Sequence, residues 1–203
     1  MAKINRVIKI LILSDFFLMG AWGLIMPVFA IFILQKIEGG DASVAGIAVG
    51  IYWISKSLIQ VPIGRWLDKN HGEKDDFWAM ILGMSLASLT PLGFIFASQP
   101  WHIYGLQFIQ ALGMAFTIPS WGGIFTRHID KGKEAMTWGL ESSSLGLGTG
   151  IAGIIGGLVA KVFGFTMLFI GVSILGFIST LLLFFIKREV VPKDKVFPVS
   201  KPH

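Results

Sequence analysis

Cysteine is missing from this chain, and charged residues are scarce. None of its 203 residues is a cysteine, which excludes disulfide bonds, thiolate catalysis and cysteine-bound metal ions. Only 14% of the residues are charged, 54% are hydrophobic, and the mean hydropathy is +0.73. Such a chain has too little polar surface to cover a soluble globule, so we expect an integral membrane protein.

Long apolar segments recur along the whole chain. A helix that crosses a membrane needs about 20 predominantly apolar residues. Six segments meet this requirement, and the short connections between them predict one all-α bundle without an aqueous domain. The first segment runs past Asp15 to Leu34, beyond signal-peptide length, so we interpret it as a membrane span. The predicted spans cover residues 8–34, 43–63, 77–97, 101–125, 135–162 and 165–186, and a tail follows at 187–203.

Basic residues are distributed unevenly among the connections. With the N-terminus inside the cell, fourteen Lys and Arg residues fall on the cytoplasmic side, and only Lys36 and Lys161 fall outside. This asymmetry follows the positive-inside rule and predicts a multi-pass protein of the cell membrane with both termini cytoplasmic. The net charge of +5 is therefore a sign of orientation, not of nucleic-acid binding.

Three charged side chains lie within the predicted spans, where ionisable groups are costly and usually face the bundle interior or a cavity. They are Asp15 in span 1, Lys56 in span 2 and Glu141 in span 5. Asp15 and Lys56 both lie about 10 Å from the cytoplasmic ends of their spans, and this equal depth predicts an ion pair. The alternative is that Lys56 extends along its helix to the membrane surface. Spans 3 and 6 contain no charged residue.

Polar and aromatic side chains follow the charged residues at helical spacing. Trp22 and Met26 share a helix face with Asp15, and Trp53 and Gln60 accompany Lys56. Such faces line binding cavities, although they also serve in ordinary helix packing. The candidate pathway for substrate and protons comprises Asp15, Lys56, Glu141, Trp22, Met26, Trp53, Gln60, Gln107, Gln110 and Trp121.

A charged segment at 64–76 separates spans 2 and 3, and its glycines predict a tight turn. Gly64, Asp68, Lys69 and Gly72 resemble the loop between helices 2 and 3 of the major facilitator superfamily of secondary transporters. Gly72 comes one residue later than in the family, and Glu73 stands at a usually basic position. The resemblance implies a cytoplasmic gate in which Asp68 braces the start of a helix in the other half of the transporter.

Span 5 resembles the family's antiporter signature. Gly148, Gly156 and Gly157 match it, Ala152 replaces a glycine, and Gly153 replaces its proline. The resemblance implies export. Independently of the family, Gly148, Ala152 and Gly156 form a ladder of small residues on which membrane helices pack closely.

Span 4 is similar to the family's helix 4 pattern of arginine, glutamine and glycines. Gln110, Ala111 and Gly113 occupy pattern positions, and Gln107 stands where the family has an arginine linked to proton coupling. A standard proton relay through that arginine is therefore not expected here.

The resemblance implies a 3+3 inverted repeat, in which spans 1–3 and 4–6 are related units and the whole chain is one half of a twelve-helix transporter. A weak internal repeat agrees, because Gly46 and Gly64 are 18 residues apart, as are Gly139 and Gly157. We expect two such halves to pair as a homodimer. The alternatives are a separately encoded half or the missing part of a longer chain.

Secondary active transport of a small organic solute by alternating access, with proton-coupled export, is the function that these features favour. No cofactor and no metal ion is expected. One alternative is a non-transporting membrane partner or assembly subunit. Another is a membrane-embedded lipid enzyme, which needs convergent carboxylates around magnesium. Against the enzyme, Glu73, Asp75 and Asp76 read as solvated loop charges, and no Ser/His nucleophilic arrangement appears.

Overall fold

Helix is the only regular structure in the part of the chain that the structure, a computed structural model, describes: residues 4–69 and 72–191. Five stretches are long and apolar enough to cross a membrane, which confirms an all-α membrane protein. The helices are α1 (Arg6–Ile25), α2 (Phe29–Lys36), α3 (Ala42–Lys69), α4 (Glu73–Phe94), α5 (Pro100–His128), α6 (Glu134–Leu183) and, after a 3₁₀ turn at Phe184–Ile186, α7 (Lys187–Val190).

The long helix α6 turns back on itself at Gly164. This residue has φ 80° and ψ 174°, a conformation that only glycine adopts readily. The Ser14 hydroxyl donates to the Ser179 carbonyl at 3.0 Å, while the neighbouring Asp15 faces Glu141. Ser179 and Glu141 would be about 57 Å apart in a straight helix. The two arms of α6, a first arm at 134–163 and a second arm at 165–183, therefore lie side by side.

Close backbone contact joins α1 to the first arm of α6. A Cβ atom added to Gly156 would overlap the carbonyl oxygen of Leu24, and one added to Gly148 would lie 2.9 Å from the Phe16 ring. Ala152 is buried in the same interface. The contacts advance together along both helices, so α1 and the first arm run parallel. The predicted ladder of small residues thus packs within the chain.

The other helices pack around α5 and the second arm. α5 contacts both α3 and α4, and α4 also contacts α6. Gly83 and Gly113 let α4 and α5 approach closely, because a Cβ on Gly113 would lie 2.8 Å from the Gly83 carbonyl oxygen. At the α3–α5 contact, a Cβ on Gly64 would lie 3.6 Å from the Pro119 side chain.

The segment at 64–76 differs from the predicted turn. α3 continues through Gly64, Asp68 and Lys69, and α4 begins at Glu73 directly after Gly72. Residues 70 and 71 lie outside the described part of the chain. The prediction was wrong because no proline follows Gly64 in this charged sequence, and charged residues are compatible with a helix that reaches water.

Two further boundaries differ from the predicted spans. Pro27 separates α1 from α2, because proline removes a backbone donor, whereas Pro119 lies within an unbroken α5. At the other end, the predicted tail begins with α7, and Val190 is buried. Arg6 pairs with Glu189 at 2.7 Å, which brings both ends of the described chain to the same end of the bundle. Residues 192–203 of the tail are outside the described part.

We expect Gly156→Ala to lower the thermal unfolding midpoint of the purified protein. The added methyl group would overlap the backbone of Leu24, and overpacking of this kind costs about 1–3 kcal/mol. Gly105→Ala is the matched control, because Gly105 is an exposed helical glycine and no atom lies within 4 Å of the position its Cβ would take. A midpoint for Gly156→Ala equal to that of the unaltered protein and the control would contradict the close contact.

Candidate functional site

Two carboxylic acids face each other between α1 and the first arm of α6. Glu141 is 2% exposed, Asp15 is partly buried, and their carboxyl groups are neighbours. Both carboxyl oxygens of Glu141 are buried without a well-formed hydrogen bond to any described residue. Glu141 lies two turns before Gly148 on the face of the first arm that packs on α1, which carries Asp15.

Lys56 does not pair with Asp15, and the predicted ion pair is wrong. Its ammonium nitrogen lies 4.1 Å from the centre of the Trp53 ring and 5.8 Å from that of Tyr52, a cation–π arrangement. Among the described residues no ion pair includes Lys56. The physical reason is topology, because α1 packs mainly on α6 and α3 mainly on α5. α3 also extends to Lys69, so the premise of equal depth fails.

Buried polar atoms without partners recur among the predicted pathway residues. Besides Glu141, the side-chain oxygens of Gln60 and Gln110 and the indole nitrogen of Trp121 have no hydrogen-bond partner in the described part of the chain. Gln107 is buried on the same helix as Gln110. Buried polar groups in proteins are normally hydrogen-bonded, so these atoms are exceptions to the usual pattern.

The aromatic and thioether residues of the predicted pathway occupy different environments. Trp121 stacks on Phe125 with ring centres 4.4 Å apart, and Trp22 is partly buried against the core. Trp53 is 54% exposed. Met26 is exposed and lines a cavity of about 440 Å³ between α1 and the first arm. The predicted residues therefore come from α1, α3, α5 and α6 and differ widely in exposure.

The predicted gate residues lie at the end of α3. Gly64 is partly buried near Pro119, whereas Asp68 and Lys69 are exposed. Asp68 forms no ion pair with another described residue. The brace that the family resemblance implies would therefore need a helix from outside this bundle.

Sequence reasoning missed an ion-pair cluster around Arg127. The Arg127 guanidinium donates to Glu73 at 2.9 Å and also pairs with Asp76, while His128 lies 3.4 Å from Glu73. Asp76 is only 4% exposed, so its interpretation as a solvated loop charge was wrong. The signal was available, because consecutive antiparallel helices place the start of α4 beside the end of α5, and the two acids are three residues apart.

Comparison with known proteins identifies the family. The model of the Major Facilitator Superfamily matches residues 11–202. The chain belongs to the Major Facilitator Superfamily. It is therefore a member of a family of membrane transporters and not an enzyme, as the sequence predicted.

Relatives of this major facilitator chain include bacterial efflux pumps. The multi-drug resistance efflux pump PmrA of Streptococcus pneumoniae serotype 4 is 30% identical over 193 residues, which cover 91% of this chain and 47% of the pump. A PmrA homolog from Lactococcus lactis is 27% identical, over 89% of this chain and 44% of that protein. The proton-coupled antiporter flippase LtaA of Staphylococcus saprophyticus is 23% identical, over 68% of this chain and 33% of the flippase.

The fold also matches the solved structure of a transporter. The POT family transporter PepTSo superimposes with a TM-score of 0.72 and 15% sequence identity, over 100% of this chain and 44% of that one. This likeness establishes the fold. The chain spans about half the length of the curated relatives it matches.

Proposed function

We propose that this chain is a subunit of a secondary active transporter that moves a small organic solute across the cell membrane by alternating access. The observation that carries the proposal is the facing pair of Asp15 and Glu141, in which both Glu141 oxygens are buried without partners. Two acids that face each other in an apolar bundle are costly to bury, and packing of the bundle gives no reason to keep them. A role in proton or substrate binding accounts for that cost.

Six crossings with an inverted repeat form the architecture of the proposed subunit. α1 with α2, then α3, α4, α5 and the two arms of α6 supply the crossings, and the basic residues favour cytoplasmic termini. The packing supports the repeat. α1 lies parallel to the first arm and antiparallel to the second, just as α5 lies parallel to α3 and antiparallel to α4. If spans 1–3 exchange places with spans 4–6, each helix keeps an equivalent parallel and an equivalent antiparallel neighbour, as an inverted repeat requires.

A second bundle is proposed to dock on the open glycine face of α6. Gly139, Gly146, Gly150 and Gly157 are separated by nearly whole helical turns, and no described atom lies within 4 Å of the position of an added Cβ at any of them. In α3, Gly46 and Gly50 are open in the same way. Small residues let membrane helices pack closely, so these faces suit another six-helix half.

A second copy of this chain is the partner that we propose for this face, in a parallel homodimer. Two copies with termini on the same side can pair about an axis along the membrane normal. The relatives' length, about twice that of this chain, also suits a pair of halves. A separately encoded half, or the remaining half of a longer chain, would occupy the same face.

Proton exchange is assigned to the Asp15–Glu141 pair. Two carboxylates this close disfavour simultaneous ionisation, so the pair should retain a proton in the closed state and titrate as a unit. Opening of the pathway to water would allow its release. We propose export as the direction of transport. Two observations support it: the resemblance of span 5 to the antiporter signature, and relatives named as efflux pumps and as a proton-coupled antiporter.

The substrate is proposed to be a small amphipathic organic solute. Trp22, Trp53, Trp121 and Met26 offer aromatic and polarisable surface, and Lys56 lies beneath Trp53. Adaptable surfaces of this kind accommodate varied apolar ligands. The amides that would orient the solute are those of Gln60, Gln107 and Gln110.

The cytoplasmic gate is proposed at Asp68, with Gly64, Lys69 and Gly72 shaping the end of α3. Asp68 is exposed and forms no ion pair with a described residue, so its carboxylate is accessible to a second bundle. The start of the partner's α6 is a suitable site, because the N-terminus of a helix attracts an anion.

We expect Glu141→Gln and Asp15→Asn to reduce proton-driven transport by about tenfold, within the range usual for coupling free energies. The measurement is efflux of ethidium from proteoliposomes under an imposed pH gradient. Asp75→Asn is the matched control, because Asp75 is a partly exposed acid at the start of α4, outside the proposed pathway and gate. A pH-gradient dependence unchanged in both variants would contradict the proton role. Absence of flux with the unaltered protein would instead favour a non-transporting partner.

Engineered cysteines can test the homodimer, since the chain has no native ones. With Gly46→Cys and Gly157→Cys in one chain, oxidation in membranes should give disulfide-linked dimers, because both positions are on open faces. In the control, Ala48→Cys replaces Gly46→Cys, and Ala48 is fully buried within the bundle. Dimers should then be lost. A monomer in both variants would contradict self-pairing and favour a different partner half.

A further inference from the structure

A cavity of about 490 Å³ opens at the end of the bundle remote from the Arg6–Glu189 pair. Its walls come from α2, from the end of α4 and from the turn between the two arms of α6. None of its lining residues belongs to the proposed transport pathway. The lining residues that matter here are Phe32, Gln35, Lys36, Phe165, Thr166 and Phe169.

The floor of this cavity is aromatic. The ring centre of Phe32 lies 4.9 Å from that of Phe169 and 5.4 Å from that of Phe165, and both contacts are edge-to-face. Phe94 completes the cluster at 6.1 Å from Phe32. Phe32, Phe94 and Phe169 are almost fully buried, so the floor is apolar and held by packing.

The mouth of the cavity favours an anion. Lys36 is exposed there, and no ion pair within the described ranges 4–69 and 72–191 includes it. The second arm of α6 begins beside it after Gly164, and a helix N-terminus carries partial positive charge. Thr166 and Gln35 add side chains able to hydrogen-bond. The acid nearest in sequence, Glu38, is already engaged, because it accepts a hydrogen bond from Gln99.

The surface beside the mouth is suited to lipid. Val162 and Phe163, next to the turn, are each 68% exposed, and Phe96 at the end of α4 is 81% exposed. A ligand held here would therefore meet apolar surface next to the cation. A basic side chain at the membrane surface attracts anionic headgroups. A ligand with an anionic headgroup and an apolar chain is a membrane lipid.

We propose that this cavity binds the phosphate headgroup of an anionic phospholipid, with the lipid chains lying along Val162 and Phe163. Lys36 and the start of the second arm neutralise the phosphate, and the packed phenylalanine rings hold these two elements beside each other. With the proposed orientation, in which both termini are cytoplasmic, this end of the bundle lies in the outer leaflet. The lipid site itself does not depend on the proposed transport function. The bound lipid would join α2, α4 and the α6 turn at one end of the bundle.

Native mass spectrometry of the full purified chain, titrated with phosphatidylglycerol, tests the site. We expect tighter binding than for phosphatidylcholine with the same chains. Lys36→Gln should weaken phosphatidylglycerol binding about fivefold, the factor for the ~1 kcal/mol that a lysine gains near anionic lipid. Lys36→Arg should retain the binding, because the charge is kept. Lys9→Gln, an exposed lysine at the opposite end of the bundle, should leave it unchanged.

Three results would overturn the proposal. Equal affinity for phosphatidylcholine and phosphatidylglycerol would remove the anion preference. Equal losses in Lys36→Gln and Lys9→Gln would show diffuse attraction to basic residues. Displacement of the lipid by glycerol phosphate at the same concentration would show that a free phosphorylated solute, and not a lipid, is the ligand. Because no flux is measured, failure here leaves the proposed transport function intact.

Discussion

The close contact between α1 and the first arm of α6 brings together the two helices that carry Asp15 and Glu141. Gly148, Ala152 and Gly156 carry too little bulk to keep the helices apart, so the backbone of α1 packs directly against them. This contact fixes the register of the two helices. The same face of the first arm carries Glu141, whose carboxyl group neighbours that of Asp15. The turn at Gly164 then returns the second arm to Ser14.

Some helix faces of the bundle pack against other helices, and others are exposed. Within the described residues, small-residue contacts join α1 to α6 and α4 to α5, and Arg127 ties the ends of α4 and α5 through Glu73 and Asp76. The opposite face of α6, with its row of glycines, has no described neighbour. The chain spans about half the length of the curated relatives it matches, and the proposed second half would cover this open face.

Much of the fold could be predicted from sequence because membrane spans need only length and hydrophobicity. The small-residue ladder was also predictable, since spacing alone puts Gly148, Ala152 and Gly156 on one face. The partner of Asp15 was not, because depth along a span says nothing about which helices are neighbours. Asp15 therefore meets Glu141 from a distant part of the sequence, while Lys56 stacks on Trp53 in its own helix. The end of α3 was missed because its charged residues fit a helix as well as a turn.

The account depends most on the Asp15–Glu141 pair sharing a proton inside an apolar bundle. Infrared difference spectroscopy on the reconstituted protein measures this directly, through the carbonyl stretch of a protonated carboxyl group. At neutral pH the unaltered chain should show that band shielded from rapid exchange with heavy water, and Glu141→Gln should remove or shift it. A chain with no protonated carboxyl at neutral pH, or an unchanged band in the variant, would contradict the account.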